Sequence, residues 1–163
     1  MGRRCSCHKR WYQHNKYVSN TVPFTTTLEV RDGCMCLHAQ RAARALARRF
    51  DEVLRPVGLT NQQFSLLMAL NRPEPPIMAP VAQLLAMDRT TLTAALKPLE
   101  RRGLLTVEAD PKDQRSRRLR LTEAGHAILL DALPIWRQTH AEIEAALPRL
   151  DMEELRASLR ALA

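Results

Sequence analysis

The chain is poor in aromatic residues, poor in glycine and short of acidic charge. Phe, Trp and Tyr make up 4% of its 163 residues. Ala and Leu are abundant instead, a balance that favours helices over sheets. Five glycines leave no Gly-rich loop that could cradle a phosphate. His126 and His140 stand alone, without a Ser, Cys or carboxylate constellation around them, so no catalysis is expected. No apolar run reaches the roughly 18 residues that a membrane span needs. The N-terminal MGRRCSCHKRWYQHNKYVSN is basic but lacks the apolar stretch of a secretory signal. A cytoplasmic protein with no membrane partner is the expectation. The four cysteines come as two C-x-C pairs, Cys5/Cys7 and Cys34/Cys36. In a reducing compartment they do not imply a disulfide framework.

Basic charge is what the chain has in excess. Its 25 Lys and Arg outnumber 17 Asp and Glu, for a formal net charge of +8. Such a surplus fits a polyanionic partner, nucleic acid above all. Apolar residues at 45% are enough for one core.

Residues 1–31 show neither a period of two nor of 3.6, and they read as a basic, disordered N-terminal extension. Organised sequence is expected from about Asp32. Over Met35–Arg55, Ala39, Ala43, Leu46, Phe50, Val53 and Val57 trace one helical stripe, ended by Pro56 and Gly58. Thr60 and Gln63 form a capping-box pattern ahead of a second helix. NRPEPPIMAP (71–80), with four prolines in ten residues, reads as a loop. A short helix follows over Val81–Ala86. Asp88 would cap a further helix from Arg89 to about Arg102, closed by Gly103. LLTVEA and RLRL alternate and predict two strands joined by the polar tip DPKDQRS. Thr122 would cap a long helix with the stripe Leu129, Leu133, Trp136, His140, Ile143 and Leu147. Pro134 is expected to kink that helix. Asp151 would cap a last short one.

Two short helices joined by a tight turn and followed by a hairpin describe a winged helix-turn-helix: a mainly α fold with a small two-stranded β-wing. The second helix of such a pair enters the major groove. Here it would present Arg89, Thr90, Thr91 and Thr93, with Lys97 further along. Arginine can pair bidentately with guanine, and threonine can bond base edges or pack on a thymine methyl. The wing concentrates Lys112, Asp113, Arg115, Arg117 and Arg118. An arginine at its tip would be drawn into the narrow, negative minor groove. Asp113 could hold the Arg115 guanidinium. Leu119 and Leu121 would anchor the inner face, with Arg118 and Arg120 pointing outward.

On GLTNQQFSLLMAL, VAQLLAMDRTTLTAALKPLERRGLL and the wing D-P-K-D-Q-R with L-R-L-T-E-A-G, the chain resembles the MarR family of bacterial transcription regulators over about residues 34–163. The resemblance implies a homodimer held by helices at 32–56 and 122–163, with a DNA-binding lobe at 60–121. It also implies a near-palindromic double-stranded DNA site, repression, and release by a small-molecule effector. Asp113 and Arg115 match the family's wing pair. The extension 1–31 and the proline-rich segment 71–80 depart from the pattern.

One branch of the family senses organic hydroperoxides through a cysteine at the start of its first helix, and Cys36 falls at that position. A helix start suits an oxidisable thiol, and Cys34 could resolve the oxidised form. The positions that match that branch's tyrosines are Gln40 and Phe50, which carry no phenolic hydroxyl. Thiol sensing is therefore the alternative to effector binding. A metal response through Cys34, Cys36 and His38, or Cys5, Cys7 and His8, ranks lower, because neither set has structural-zinc spacing. No cofactor and no metal are expected.

Overall fold

The computed structural model describes residues 21–111, 113 and 115–162. The chain divides into two compact units, residues 1–42 and 43–163. In the first, helix α1 spans Phe24–Gly33 and helix α2 begins at Met35, running on to Leu54. Helical structure is therefore present from Phe24, eight residues ahead of the Asp32 at which the sequence pattern places organised sequence. The physical reason is visible in α1 itself: none of its residues is buried, so it needs no apolar stripe and shows no periodicity. Residues 1–20 of the predicted extension, with Cys5, Cys7 and His8, lie outside the described residues.

In the second unit, α2 ends in a single 3-10 turn (Arg55–Val57) and Gly58 at φ 69°. There follow α3 (Asn61–Leu70), α4 (Met78–Leu84), α5 (Arg89–Arg101), β1 (Leu105–Ala109), β2 (Arg117–Leu121), α6 (Glu123–Ala145) and α7 (Met152–Ala161). The caps are those that the sequence signals. Thr60 and Gln63 close a reciprocal capping box on α3. Asp88 accepts from the Thr91 N–H, Thr122 from the Gly125 N–H, and Asp151 from those of Glu153 and Glu154. Each satisfies donors that an α-helix leaves orphaned at its start.

The proline-rich loop is shorter than expected. Helix α4 starts at Met78, not Val81, and so contains Pro80. Its missing N–H falls in the first helical turn, where no intrahelical partner exists. Ala86 ends α4 at φ 50°, while Met87 N–H donates to Ala82 and Ala86 N–H to Gln83. That paired closure is a Schellman turn, usually built on glycine.

The two strands pair antiparallel, Leu105 opposite Leu121 and Ala109 opposite Arg117. Leu105, Leu119 and Leu121 are buried and join Leu66, Leu67, Leu70, Val81, Leu92, Leu96 and Leu99 in one core. The base of the hairpin is locked to α6 by the L-T-E-A-G stretch. Thr122 N–H donates to the Leu104 carbonyl, and its hydroxyl donates to the Gly103 carbonyl at 2.6 Å. Gly125 lies against Leu104 so closely that a Cβ there would sit 2.0 Å from the Leu104 carbonyl oxygen. Helix α6 runs through Pro134. Its inner face carries an aromatic ladder: Phe50 to His140 at 5.5 Å, His140 to Trp136 at 4.3 Å, and Trp136 to Phe64 at 6.3 Å between ring centroids. His140 is thus packed between Phe50 and Trp136. No residue of α7 is buried, and Leu130, Leu147, Leu150, Leu159 and Leu162 are exposed. Among the described residues no helix is long and apolar enough to cross a membrane.

Candidate nucleic-acid interface

Helix α5 buries Leu92, Leu96 and Leu99. The same period turns Arg89, Thr90, Thr91, Thr93 and Lys97 outward, and all five are exposed. Its first turn is rigid. Thr91 donates its hydroxyl to Asp88 Oδ2 at 2.7 Å and its N–H to Oδ1 at 2.8 Å. These bonds hold the Asp88 carboxyl below its ordinary value of 3.8. A carboxylate with a depressed folded-state pKa contributes stability above its unfolded value and loses it as pH falls through the folded one, so the cap is charged throughout the neutral range. The Thr93 hydroxyl donates to the Arg89 carbonyl at 2.7 Å. The Thr91 and Thr93 hydroxyl protons are therefore engaged within the helix. Their methyls and lone pairs, rather than donated protons, are what the helix presents outward.

The wing faces the same side. A cleft of about 350 Å³ is lined by Ile77, Met78, Ala79 and Ala82, by Arg89 and Leu92 from α5, and by Arg115, Ser116 and Arg117 from the wing. Arginines of α5 and of the wing thus share one concavity, which concentrates positive potential. Thr90, Thr91, Thr93 and Lys97 continue along α5 outside this cleft. Lys112 lies outside the described residues.

Two wing residues act differently from their sequence reading. Asp113 does not hold the Arg115 guanidinium. One carboxylate oxygen accepts the Arg115 backbone N–H at 3.0 Å and the other accepts the Ser116 hydroxyl at 2.9 Å. A short acidic side chain two residues back reaches the main chain of the turn more readily than the end of an arginine. Asp113 shapes the tip. Arg118, placed outward by alternation, folds back instead. Its Nε donates to Asp110 at 2.9 Å, and Nη1 donates to the Pro75 carbonyl at 3.3 Å. A carboxylate with a side chain only 8% exposed draws in a cation, because buried charges need partners. Asp110 is the residue that sequence reasoning missed; its only signal was a place directly before the Pro turn.

In the first unit, Cys36 is exposed and Cys34 half-buried. Gln40 Nε2 lies 3.1 Å from Cys36 Sγ and donates to it. An amide thus stands where the sequence comparison looked for a phenol. Among the described residues no group of three His, Cys, Asp or Glu is placed to hold a metal.

A second cleft, about 330 Å³, lies between α3, α4 and α6 and is lined by Phe64, Ser65, Met68, Ala69, Leu84, Leu133 and Trp136. It is apolar, as small-molecule sites usually are.

Comparison with known proteins places this geometry. The MarR family model matches residues 57–116. The M. tuberculosis transcriptional regulator MosR, solved in complex with DNA, is 38% identical. The match covers 79% of this chain and 92% of that one at a TM-score of 0.71. The transcriptional repressor CouR, bound to a 23-mer DNA duplex, is 29% identical, with 83% and 93% covered and a TM-score of 0.65; CouR comes from Rhodococcus jostii RHA1. The organic hydroperoxide resistance transcriptional regulator of Bacillus subtilis is 29% identical over 102 residues, 63% of this chain and 68% of its own length.

Proposed function

This chain belongs to the MarR family, and from that premise we propose that it is a homodimeric, sequence-specific DNA-binding repressor, released from a near-palindromic operator by a small effector. The observation that carries the proposal is the shared cleft of Arg89 with Arg115, Ser116 and Arg117. It sets a capped helix N-terminus and a basic hairpin tip side by side, as major- and minor-groove contacts require. The exposed leucines of α6 and α7 supply apolar surface for a second copy. A repressor of this kind works on chromosomal DNA, hence in the cytoplasm. The apolar cleft beside Trp136 suits an aromatic or apolar effector, whose binding would favour a dimer spacing that no longer fits the operator.

Selection from a randomised duplex library, followed by footprinting, tests the proposal. Two protected half-sites about 34 Å apart are expected; a single unpaired footprint or no enriched sequence would count against it. Arg89→Ala should relax preference at one base pair of each half-site by about 1–3 kcal/mol. Competition against single-base variants measures this, and an unchanged preference profile would remove Arg89 from base readout.

One observation favours a second route to release. Cys36 is exposed and its sulfur accepts a hydrogen bond from Gln40, while the hydroperoxide regulator of B. subtilis is among the relatives. In this route the Cys36 thiol takes one oxygen from an organic hydroperoxide, becoming a sulfenic acid, and the hydroperoxide leaves as the alcohol. Cys34 can then condense with the sulfenic acid, releasing water. Cys36→Ser should abolish release of DNA by cumene hydroperoxide while leaving DNA affinity unchanged. An unaltered response would take Cys36 out of the mechanism.

A further inference from the structure

We propose that Arg118, Asp110 and the Pro75–Pro76 segment form a clamp that sets the direction of the wing tip, an inference that rests on the DNA-binding reading above. Arg118 is then a positioning residue for DNA recognition, not a contact.

The clamp begins in the proline-rich segment. Glu74 and Pro75 each precede a proline, which biases both toward extended backbone, and the rings fix φ at Pro75 and Pro76. The segment is thus straight before it docks. It has no N–H at either proline to satisfy, only carbonyls, and β2 meets both. Pro76 accepts from the Leu119 N–H at 2.9 Å, and Pro75 accepts from Arg118 Nη1. Ile77 then pairs with Arg118 as an antiparallel bridge. A short edge strand is one of the few sheet positions that tolerate proline.

The same guanidinium reaches the tip. Asp110 is where the turn leaves the ladder: its N–H donates to the Ser116 carbonyl, and its own carbonyl accepts from the Asp113 N–H. Arg118 Nε holds its carboxylate at 2.9 Å. One side chain, only 25% exposed, therefore ties the stiff proline segment to the hinge of the tip that carries Arg115. Without Arg118 the Asp110 carboxylate is no longer tied to the proline segment, and it shifts. The hinge moves with it. A minor groove only about 6 Å wide leaves little tolerance for a redirected tip.

A double-mutant cycle tests this, using full-length protein and the duplex that the wild type selects from a randomised library. Arg118→Met keeps the aliphatic stem and removes the guanidinium. It should weaken binding roughly tenfold in the wild-type background, but less than about twofold in Arg115→Ala, because the two act through one contact. The salt dependence of Arg118→Met should match the wild type. Losses that multiply, with a salt slope smaller by about one per site, would make Arg118 a phosphate contact and overturn the proposal. A lowered Tm with unchanged affinity at low temperature would make it purely structural, and would overturn it as well. Asp110→Asn with Arg118→Met, which removes the buried charge, should recover Tm but not affinity. Failure of the wild type to select any duplex would instead overturn the DNA-binding reading, and the clamp's role with it.

Discussion

Gly125→Ala is expected to remove a large part of the protein's stability. The added methyl carbon would meet the Leu104 carbonyl oxygen at 2.0 Å and the Leu121 side chain at 3.1 Å. The first neighbour is backbone and cannot rotate away. Either α6 withdraws from the hairpin base or the Leu104 peptide turns. Both break the Thr122 bonds to Gly103 and Leu104 and open the core at Leu121. A cost of about 4 kcal/mol or more belongs to the diagnostic tail of single substitutions, against a total of about 5–15 kcal/mol for a domain. For a chain of this size that is a fall in Tm of roughly 10 °C. Gly33→Ala is the control. A Cβ there meets nothing within 4 Å, and Tm should hold. Thermal denaturation followed by circular dichroism compares the two; equal Tm values for Gly125→Ala and wild type would show that the close approach is relieved without cost.

Arg115→Ala should lower operator affinity on the order of a hundredfold with no change in Tm. An arginine that reads a groove contributes about 1–3 kcal/mol, and a two-fold dimer loses both copies. The fold is spared because Arg115 is exposed and its turn is held by Asp113 through the main chain and Ser116. The substitution keeps that N–H. Mobility-shift titration on the selected duplex, beside a melting curve, measures both halves of the expectation. Undiminished affinity would remove the wing tip from DNA recognition.

These predictions draw on features that were unequally legible in the sequence. The caps at Thr60, Asp88, Thr122 and Asp151 were readable because a short polar side chain before an apolar period has one main use. The hairpin register followed from alternation, since Leu105, Leu119 and Leu121 must share the buried face. Alternation says which face a residue leaves from, not where a long side chain ends. That is why Arg118 was set in solvent and Asp110 passed over. The Ala86 turn was hidden because alanine is not a left-handed residue by preference; the two Schellman bonds hold it there. Helix α4 was cut short because prolines were counted rather than placed. Residue type does not show that the Thr91 hydroxyl is claimed by the Asp88 carboxylate and that of Thr93 by the Arg89 carbonyl, each nearer than any base.

The most direct test of the central claim is a fluorescence-anisotropy titration. Purified protein is added to DNA from upstream of its own coding region, and to a shuffled duplex of equal composition, at several salt concentrations. Saturable binding to the upstream DNA, at least about a thousandfold tighter than to the shuffled control and steeply weakened by salt, is the predicted result. Equal, weak and salt-sensitive binding to both, repeated with a duplex library that yields no preferred sequence, would contradict a specific regulator and reduce the arginine cleft to general affinity for nucleic acid.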